Sequence, residues 1–238
     1  MVMQLNAIDI DSLSPLQDQT LQEFDDACNE LEDLFHKKRS WNDLPDLRTL
    51  GNALDTLFFQ GCIRGTCTYE WITHDRQGNP ETTLYGYCTG YEKADCLNRI
   101  SITALGHPTH PGPGTYKLPD VRANRLIGDI AGTILHEQLH QLLGYYVCDG
   151  NCSDATESQK QLCSYLYART VELFSQVEDH GKRHAYSNHC GHGPAFQVLG
   201  RQVESNAFRM LGFHEAISLG YVSPCQCQQG QESSCLSH

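Results

Sequence analysis

The chain has 238 residues, of which 39% are hydrophobic, and a formal net charge of −12 at pH 7. The apolar content is sufficient for the core of one large domain. An acidic chain without a long basic tract lacks the cationic surface that is typical of nucleic-acid-binding proteins. No apolar stretch approaches the roughly 20 residues that a membrane-spanning helix requires. The composition therefore disfavours a nucleic-acid binder and excludes a membrane-spanning helix.

The N-terminal segment 1–11 has no basic start followed by an apolar core, so it does not resemble a secretory signal. This predicts an intracellular protein, cytoplasmic or nuclear. The twelve cysteines indicate the opposite if they form disulfides, but in a reducing compartment they would be thiols or metal ligands. Secretion is therefore kept as the minor alternative.

Two amphipathic helices are predicted before residue 60. Ser14 followed by Pro15 is typical of a helix cap and first helical residue. Apolar residues then recur on one face, at Leu21, Phe24, Cys28, Leu31, Leu34 and Phe35. A second helix is predicted from Leu44 to Phe58, and its apolar stripe consists of Leu47, Leu50, Leu54 and Leu57.

The segment 61–104 has the composition of strands. Residues 67–73, 82–89 and 99–103 are rich in aromatic and β-branched side chains, and a turn is expected at 75–80. We expect a small, mostly antiparallel sheet here. The following stretch, 107–119, holds four prolines and is predicted to be a loop.

A long helix is predicted over 121–143, with Asp120 as its N-cap and Gly144 as its end. Nine apolar residues follow helical periodicity, namely Leu126, Ile127, Ile130, Ala131, Ile134, Leu135, Leu139, Leu142 and Leu143. Within it lies the pentapeptide His136-Glu137-Gln138-Leu139-His140. Two histidines four residues apart project from one face of a helix and can bind one Zn²⁺ ion. Glu137 can then act as general base toward a zinc-bound water, which is the chemistry of the HExxH metallopeptidases.

Two further helices are predicted. Ser153 or Asp154, with Glu157 following, favours the start of one of them. Gly193-Pro194 favours the start of the other, with Phe196, Leu199, Val203 and Phe208 at helical spacing. The tail 223–238 is polar and carries three cysteines. Four other cysteines could clamp the region after the long helix or form a second zinc site, namely Cys148, Cys152, Cys163 and Cys190.

A catalytic zinc ion normally has three protein ligands, so His136 and His140 need a partner. Leu143 and Tyr146 stand where the metzincin pattern has glycine and histidine, which excludes that pattern. A thermolysin-like arrangement would use a glutamate on the next helix, and Glu157 or Glu172 could serve. Histidines further along the chain are the other candidates, namely His180, His184, His189 and His192.

The run Gly191-His192-Gly193-Pro194-Ala195-Phe196, downstream of HExxH, resembles the SprT-like or Spartan family of zinc metallopeptidases. The resemblance covers about 61–210 and includes a weaker likeness of the strand segment 86–102. It implies that His192 completes the zinc site with His136 and His140. It also implies a possible association with DNA and with DNA–protein crosslinks, although the net charge disfavours DNA binding.

The expected architecture is thus an α+β, zincin-like SprT-type domain. N-terminal helices (1–60) and a small antiparallel sheet pack on the HExxH helix in a core spanning 61–222, which ends in the tail 223–238, all as one structural domain. The expected function is zinc-dependent hydrolysis of protein or peptide substrates. A catalytically silent, zinc-stabilised binding protein and a DNA-associated protease are the alternatives.

Overall fold

The computed structural model describes residues 13–36, 44–72, 86–89, 98–103, 120–146, 156–173, 194–213 and 219. Its helices and strands, in chain order, are α1 (Pro15–His36), α2 (Leu47–Phe59), β1 (Cys67–Ile72), β2 (Gly86–Thr89), β3 (Asn98–Thr103), α3 (Asp120–Tyr146), α4 (Glu157–Leu173) and α5 (Pro194–Met210). The predicted loop 107–119 and the cysteine-containing tail 223–238 lie outside the described residues.

The two N-terminal helices begin with side-chain caps. Before α1, the Ser14 amide donates to Gln17 Oε1 at 3.0 Å and the Gln17 amide donates to Ser14 Oγ at 3.3 Å, so the predicted cap is confirmed. Before α2, Asp46 Oδ1 accepts from the Arg48 amide at 2.9 Å. Because Asp46 is the cap, α2 begins at Leu47 rather than at the predicted Leu44.

The central helix α3 buries every residue of its predicted apolar stripe. The prediction that it ends at Gly144 is wrong, because α3 continues through Tyr146. The Tyr146 hydroxyl donates to the Cys62 carbonyl oxygen at 2.8 Å, and its ring packs against the core. These contacts hold the last turn in helical form despite the glycine. Asp120 is the first helical residue rather than the cap before it.

The three strands form a mixed sheet with the order β1-β3-β2. β2 pairs with β3 antiparallel, but β1 pairs with β3 in parallel, with Tyr69 opposite Ile100. The prediction of a mostly antiparallel sheet is therefore wrong for the β1–β3 pair. Side-chain alternation has the same period in both arrangements, so the pattern of residues could not reveal strand direction.

The last two helices differ from their predictions in detail. The start of α4 is capped by Thr156 and Gln159, which exchange two hydrogen bonds of 2.9 and 3.3 Å, and not by Ser153 or Asp154. α5 begins at the predicted Pro194. Phe208 was expected on its apolar face but is 46% exposed, because it lies five residues after Val203 and so turns away from the stripe that Ala207 continues.

α3 lies at the centre of the fold. It packs against α1, α2 and α5, and also against β2 and β3, while α4 packs on α5. A single apolar cluster runs from Phe24 in α1 through α2, β3 and α3 to α5 and Leu219. The structure is thus a helix-dominated α+β fold, as expected. None of the helices in the described ranges combines the length and apolar character needed to cross a membrane.

Candidate metal centre

The two histidines of the HExxH motif lie side by side on α3. Their Nε2 atoms are 3.0 Å apart and their ring centroids are 4.7 Å apart. Two nitrogens that each bind a tetrahedral zinc ion at about 2.0–2.1 Å are about 3.3 Å from one another. The pair therefore presents two ring nitrogens at a separation close to that of a zinc site.

The second ring nitrogen of His136 has a defined partner. His136 Nδ1 lies 2.6 Å from the backbone carbonyl oxygen of Leu219. A carbonyl oxygen can only accept, so Nδ1 carries a hydrogen, and in the neutral imidazole Nε2 then presents its lone pair toward His140. Histidines that bind metals typically donate their other N–H to such an acceptor, which fixes the tautomer. His136 thus has the tautomer that a metal ligand requires.

Leu219 is itself held in place by α5. Its amide donates to Glu204 Oε1 at 2.7 Å, and its side chain is only 2% exposed within the core. A hydrogen bond to a carboxylate is stronger than one between neutral groups. Both backbone polar groups of Leu219 are therefore engaged, one with α5 and the other with His136.

Phe196, in the first turns of α5, contacts both imidazoles. Its ring is stacked on His140 at a centroid distance of 4.7 Å and an interplanar angle of 30°. It meets His136 edge-on at 4.9 Å. The phenylalanine is 1% exposed, so its ring is fixed by packing and restricts the rotation of both imidazoles.

Glu137, the predicted general base, lies between the histidines in sequence and is 6% exposed. Gln138 belongs to the opposite side of α3, since two residues turn the helix by about 160° from His136. Its Nε2 donates to the Gly51 carbonyl oxygen at 2.7 Å and to the Tyr69 hydroxyl at 2.8 Å. The fully buried Gln138 thus fixes the rotation of α3 against α2 and β1.

Of the candidate third ligands, the structure describes the side chain of Glu157. His192, His189, His184 and His180 lie outside the described residues, and so does the side chain of Glu172. Glu157 is exposed in the first turn of α4. Within the described ranges, no three histidine, cysteine or acidic side chains are grouped as a metal site would require.

Four cysteines whose side chains the structure describes are thiols, namely Cys28, Cys62, Cys67 and Cys163. Burial raises the pKa of Cys28 to about 12 and that of Cys67 to about 11, and it also raises the pKa of Cys62. These three are therefore protonated at neutral pH, whereas zinc is bound by the thiolate. Cys148, Cys152 and Cys190, the other members of the predicted clamp, lie outside the described residues.

Three residues of the site were not foreseen from the sequence. Gln138 occupies a variable position of the motif, and Leu219 acts through its backbone, which leaves no signal in the residue type. Glu204 looks like an ordinary helix-surface carboxylate. Asp129, on α3 seven residues before His136, is exposed, and the acceptor for His136 Nδ1 is the Leu219 carbonyl oxygen.

Comparisons with known proteins find no match for this chain among protein-family models, curated proteins or solved structures.

Proposed function

We propose that this protein is a zinc-dependent metallopeptidase of the SprT-like type, which hydrolyses peptide bonds in protein substrates. The observation that carries the proposal is the pair of Nε2 atoms 3.0 Å apart on one face of α3. The Leu219 carbonyl supports it, because it holds His136 in the tautomer of a metal ligand. The start of α5 supports it too, since Phe196 contacts both histidines only four residues after His192.

In this proposal His136, His140 and His192 would hold the zinc ion, as the three protein ligands that a catalytic zinc site normally has. A zinc ion bound there would supply Lewis-acid chemistry, which lowers the pKa of a bound water and polarises the scissile carbonyl group. Glu137 takes the proton from the attacking water and passes it to the leaving amine. Phe196 and the Leu219 carbonyl keep the two helix histidines oriented. The zincin-like arrangement of these parts belongs to the same proposal.

A structural histidine pair is the simpler interpretation of the same residues. Histidines within a helix often satisfy their ring nitrogens with nearby backbone or water. Here, however, the Nε2 atoms of the two rings lie 3.0 Å apart, while Nδ1 of His136 is bonded to the Leu219 carbonyl oxygen. A Nε2–H of His140 can donate to Nε2 of His136 across 3.0 Å, and a metal ion would replace that shared hydrogen. The geometry therefore favours a metal site over a merely structural pair.

The first experiment measures zinc per chain after purification under reducing conditions. We expect one zinc ion in the wild type, and loss or strong weakening of binding in His140→Ala and in His192→Ala. Glu157→Gln is the matched control, because Glu157 is a competing candidate ligand on an exposed helix start. Undiminished zinc in His192→Ala, with loss in Glu157→Gln, would move the third ligand to α4 and remove the main support for the SprT-like type.

The second experiment tests catalysis with an unfolded protein as substrate. Wild type should cleave it and a chelator should abolish the cleavage. Glu137→Gln should retain zinc and lose hydrolysis by at least about 100-fold, since a positioned general base contributes about 10²–10⁴-fold. Zinc bound without any hydrolysis in the wild type would instead indicate a zinc-stabilised binding protein.

A further inference from the structure

Glu204 connects α5 to the imidazole of His136 through a single residue. The carboxylate accepts from the Leu219 amide at 2.7 Å, and the Leu219 carbonyl oxygen lies 2.6 Å from His136 Nδ1. The Leu219 side chain is packed in the core cluster. This residue is therefore held at its amide, its carbonyl and its side chain, which leaves little freedom in the direction of the carbonyl.

The direction of the Leu219 carbonyl group affects whether His136 can bind a metal ion. A neutral imidazole carries its hydrogen on either nitrogen, and the tautomer is set by the hydrogen bond that the other nitrogen makes. With the Leu219 carbonyl in place, the hydrogen stays on Nδ1 and the lone pair of Nε2 faces His140. If the carbonyl moves away, His136 can place the hydrogen on Nε2, which then cannot bind a metal.

We propose that Glu204 is a positioning residue of the metal centre, which holds Leu219 so that its carbonyl keeps His136 in the Nδ1–H tautomer. The part that concerns metal binding rests on the proposed zinc site. The part that concerns the tautomer is a property of the metal-free protein. Glu204 touches neither substrate nor metal in this role, and it acts only through Leu219 and His136.

The geometry distinguishes this role from that of a carboxylate on a helix surface. Glu204 is partly buried, and its oxygen is committed to an amide fifteen residues further along the chain, beyond the end of α5. A charged acceptor makes a stronger bond to an N–H than a neutral one does. The bond therefore ties the chain at 219 to the same helix whose Phe196 stacks on the histidines.

The test records the tautomer of His136 by nitrogen-15 NMR of the imidazole in metal-free protein. Wild type should show the Nδ1–H form. Glu204→Gln should retain it, because the amide oxygen of glutamine can still accept from the Leu219 amide. Glu204→Ala should give a mixture of tautomers. Glu204→Asp should do the same while keeping the charge, because its carboxylate is withdrawn by about 1.5 Å, one carbon–carbon bond length. A wild-type tautomer in both Ala and Asp variants would overturn the proposal.

The second readout is zinc affinity, measured by competition with a chelator of known affinity. Outer partners of ligating histidines typically account for about 10–100-fold in metal affinity. We expect about tenfold weaker binding in Glu204→Ala and Glu204→Asp and near-wild-type binding in Glu204→Gln. The control Glu30→Ala, at an exposed glutamate on α1, should show no change. A wild type that binds no zinc would refute the proposed function but leave the tautomer result standing. Zinc binding that is equally tight in all variants would refute only the role of Glu204.

Discussion

Gln138 shows how the helix that carries the candidate metal ligands is fixed from behind. It is fully buried and donates both of its amide hydrogens, to Gly51 of α2 and to Tyr69 of β1. Burial raises the pKa of Tyr69, so its hydroxyl stays protonated at neutral pH. The orientation of His136 and His140 toward α5 is thus determined in part by a polar contact on the opposite face of α3.

We predict that Gln138→Met destabilises the protein by about 1–3 kcal/mol, because it leaves buried polar partners without their donor. The measurement is urea unfolding of Gln138→Met, Tyr69→Phe and the double variant. Each single change removes the hydrogen bond between Gln138 and Tyr69, so the double-mutant cycle should give a coupling energy of at least about 0.5 kcal/mol. Strictly additive effects would show that the hydrogen bond at 2.8 Å contributes nothing to stability.

Gly51 is the second prediction at the scale of a residue. A Cβ atom at this position would lie 2.5 Å from the ring of Tyr69. The ring can therefore pack against residue 51 only if that residue is glycine. Alanine is favoured over glycine in a helix by about 1 kcal/mol. Overpacking of a filled site costs about 1–3 kcal/mol, which outweighs that gain. Gly51→Ala should therefore lower the free energy of unfolding.

Gly128 in α3 is the matched control for this substitution. Among the described residues, a Cβ atom there would meet the ring of Phe213 at 3.9 Å, which is an ordinary contact. Gly128→Ala should therefore stabilise the protein by up to about 1 kcal/mol. Equal effects of the two substitutions in chemical denaturation would contradict the packing of Tyr69 on Gly51.

At the scale of whole helices, the capping residues determined how accurately each helix start could be predicted from the sequence. Ser14 and Pro15 predicted the start of α1 correctly, because the capping residues are adjacent to the apolar periodicity. The predicted starts of α2 and α4 were two or three residues early, because several capping residues precede each helix and periodicity alone does not choose among them. In both cases the structure selects the cap nearest to the first buried turns, Asp46 and Thr156.

The cap of α2 gives the third prediction. Asp46 accepts from the Arg48 amide and also pairs with the Arg48 guanidinium at 2.6 Å, which lowers the pKa of Asp46. Both side chains of the ion pair are exposed, and such pairs contribute about 0–1 kcal/mol. The capping bond contributes more, about 1 kcal/mol. Asp46→Ala should therefore destabilise the protein by about 1 kcal/mol in thermal or urea unfolding.

Two further variants separate the cap from the ion pair. Asp46→Asn keeps a capping oxygen and should cost only a few tenths of a kcal/mol. Arg48→Ala removes the ion pair and keeps the cap, and it should also have a small effect. If Arg48→Ala costs as much as Asp46→Ala, the ion pair and not the cap holds the start of α2.

For the molecule as a whole, the periodicity of the apolar residues predicted which side chains are buried but not the relative direction of the strands. All nine apolar residues assigned to the long helix are buried, because helical spacing and exclusion from water impose the same pattern. The parallel pairing of β1 with β3 was not predictable, because it depends on how the chain connects the two strands. The histidine pair was predictable from its spacing, whereas the Leu219 carbonyl that orients His136 was not, because every residue carries that group.

A buried carboxyl group on α2, that of Asp55, links folding to pH. Asp55 has no exposed surface, and its Oδ1 accepts from the Ile63 amide at 3.1 Å. Burial raises the pKa of this carboxyl group from 3.8 to about 6, and hydrogen bonds from the backbone of Ile63 and Arg64 oppose the change only in part. Between these two pKa values the folded protein binds a proton that the unfolded chain has lost.

The contribution of Asp55 to stability is therefore complete below about pH 4 and is lost as the pH rises through about 6. The difference between the two pKa values corresponds to about 3 kcal/mol. We predict that Asp55→Asn, which keeps an oxygen for the Ile63 amide and cannot ionise, removes this dependence. Urea unfolding from pH 4 to pH 8 should show the wild type losing stability relative to Asp55→Asn by about that amount.

Asp46→Asn is the control of opposite sign, because the lowered pKa of Asp46 makes its contribution present above about pH 4 and lost as the pH falls. Parallel pH profiles for wild type and Asp55→Asn would show that Asp55 is ionised in the folded protein at the same pH as in the unfolded chain.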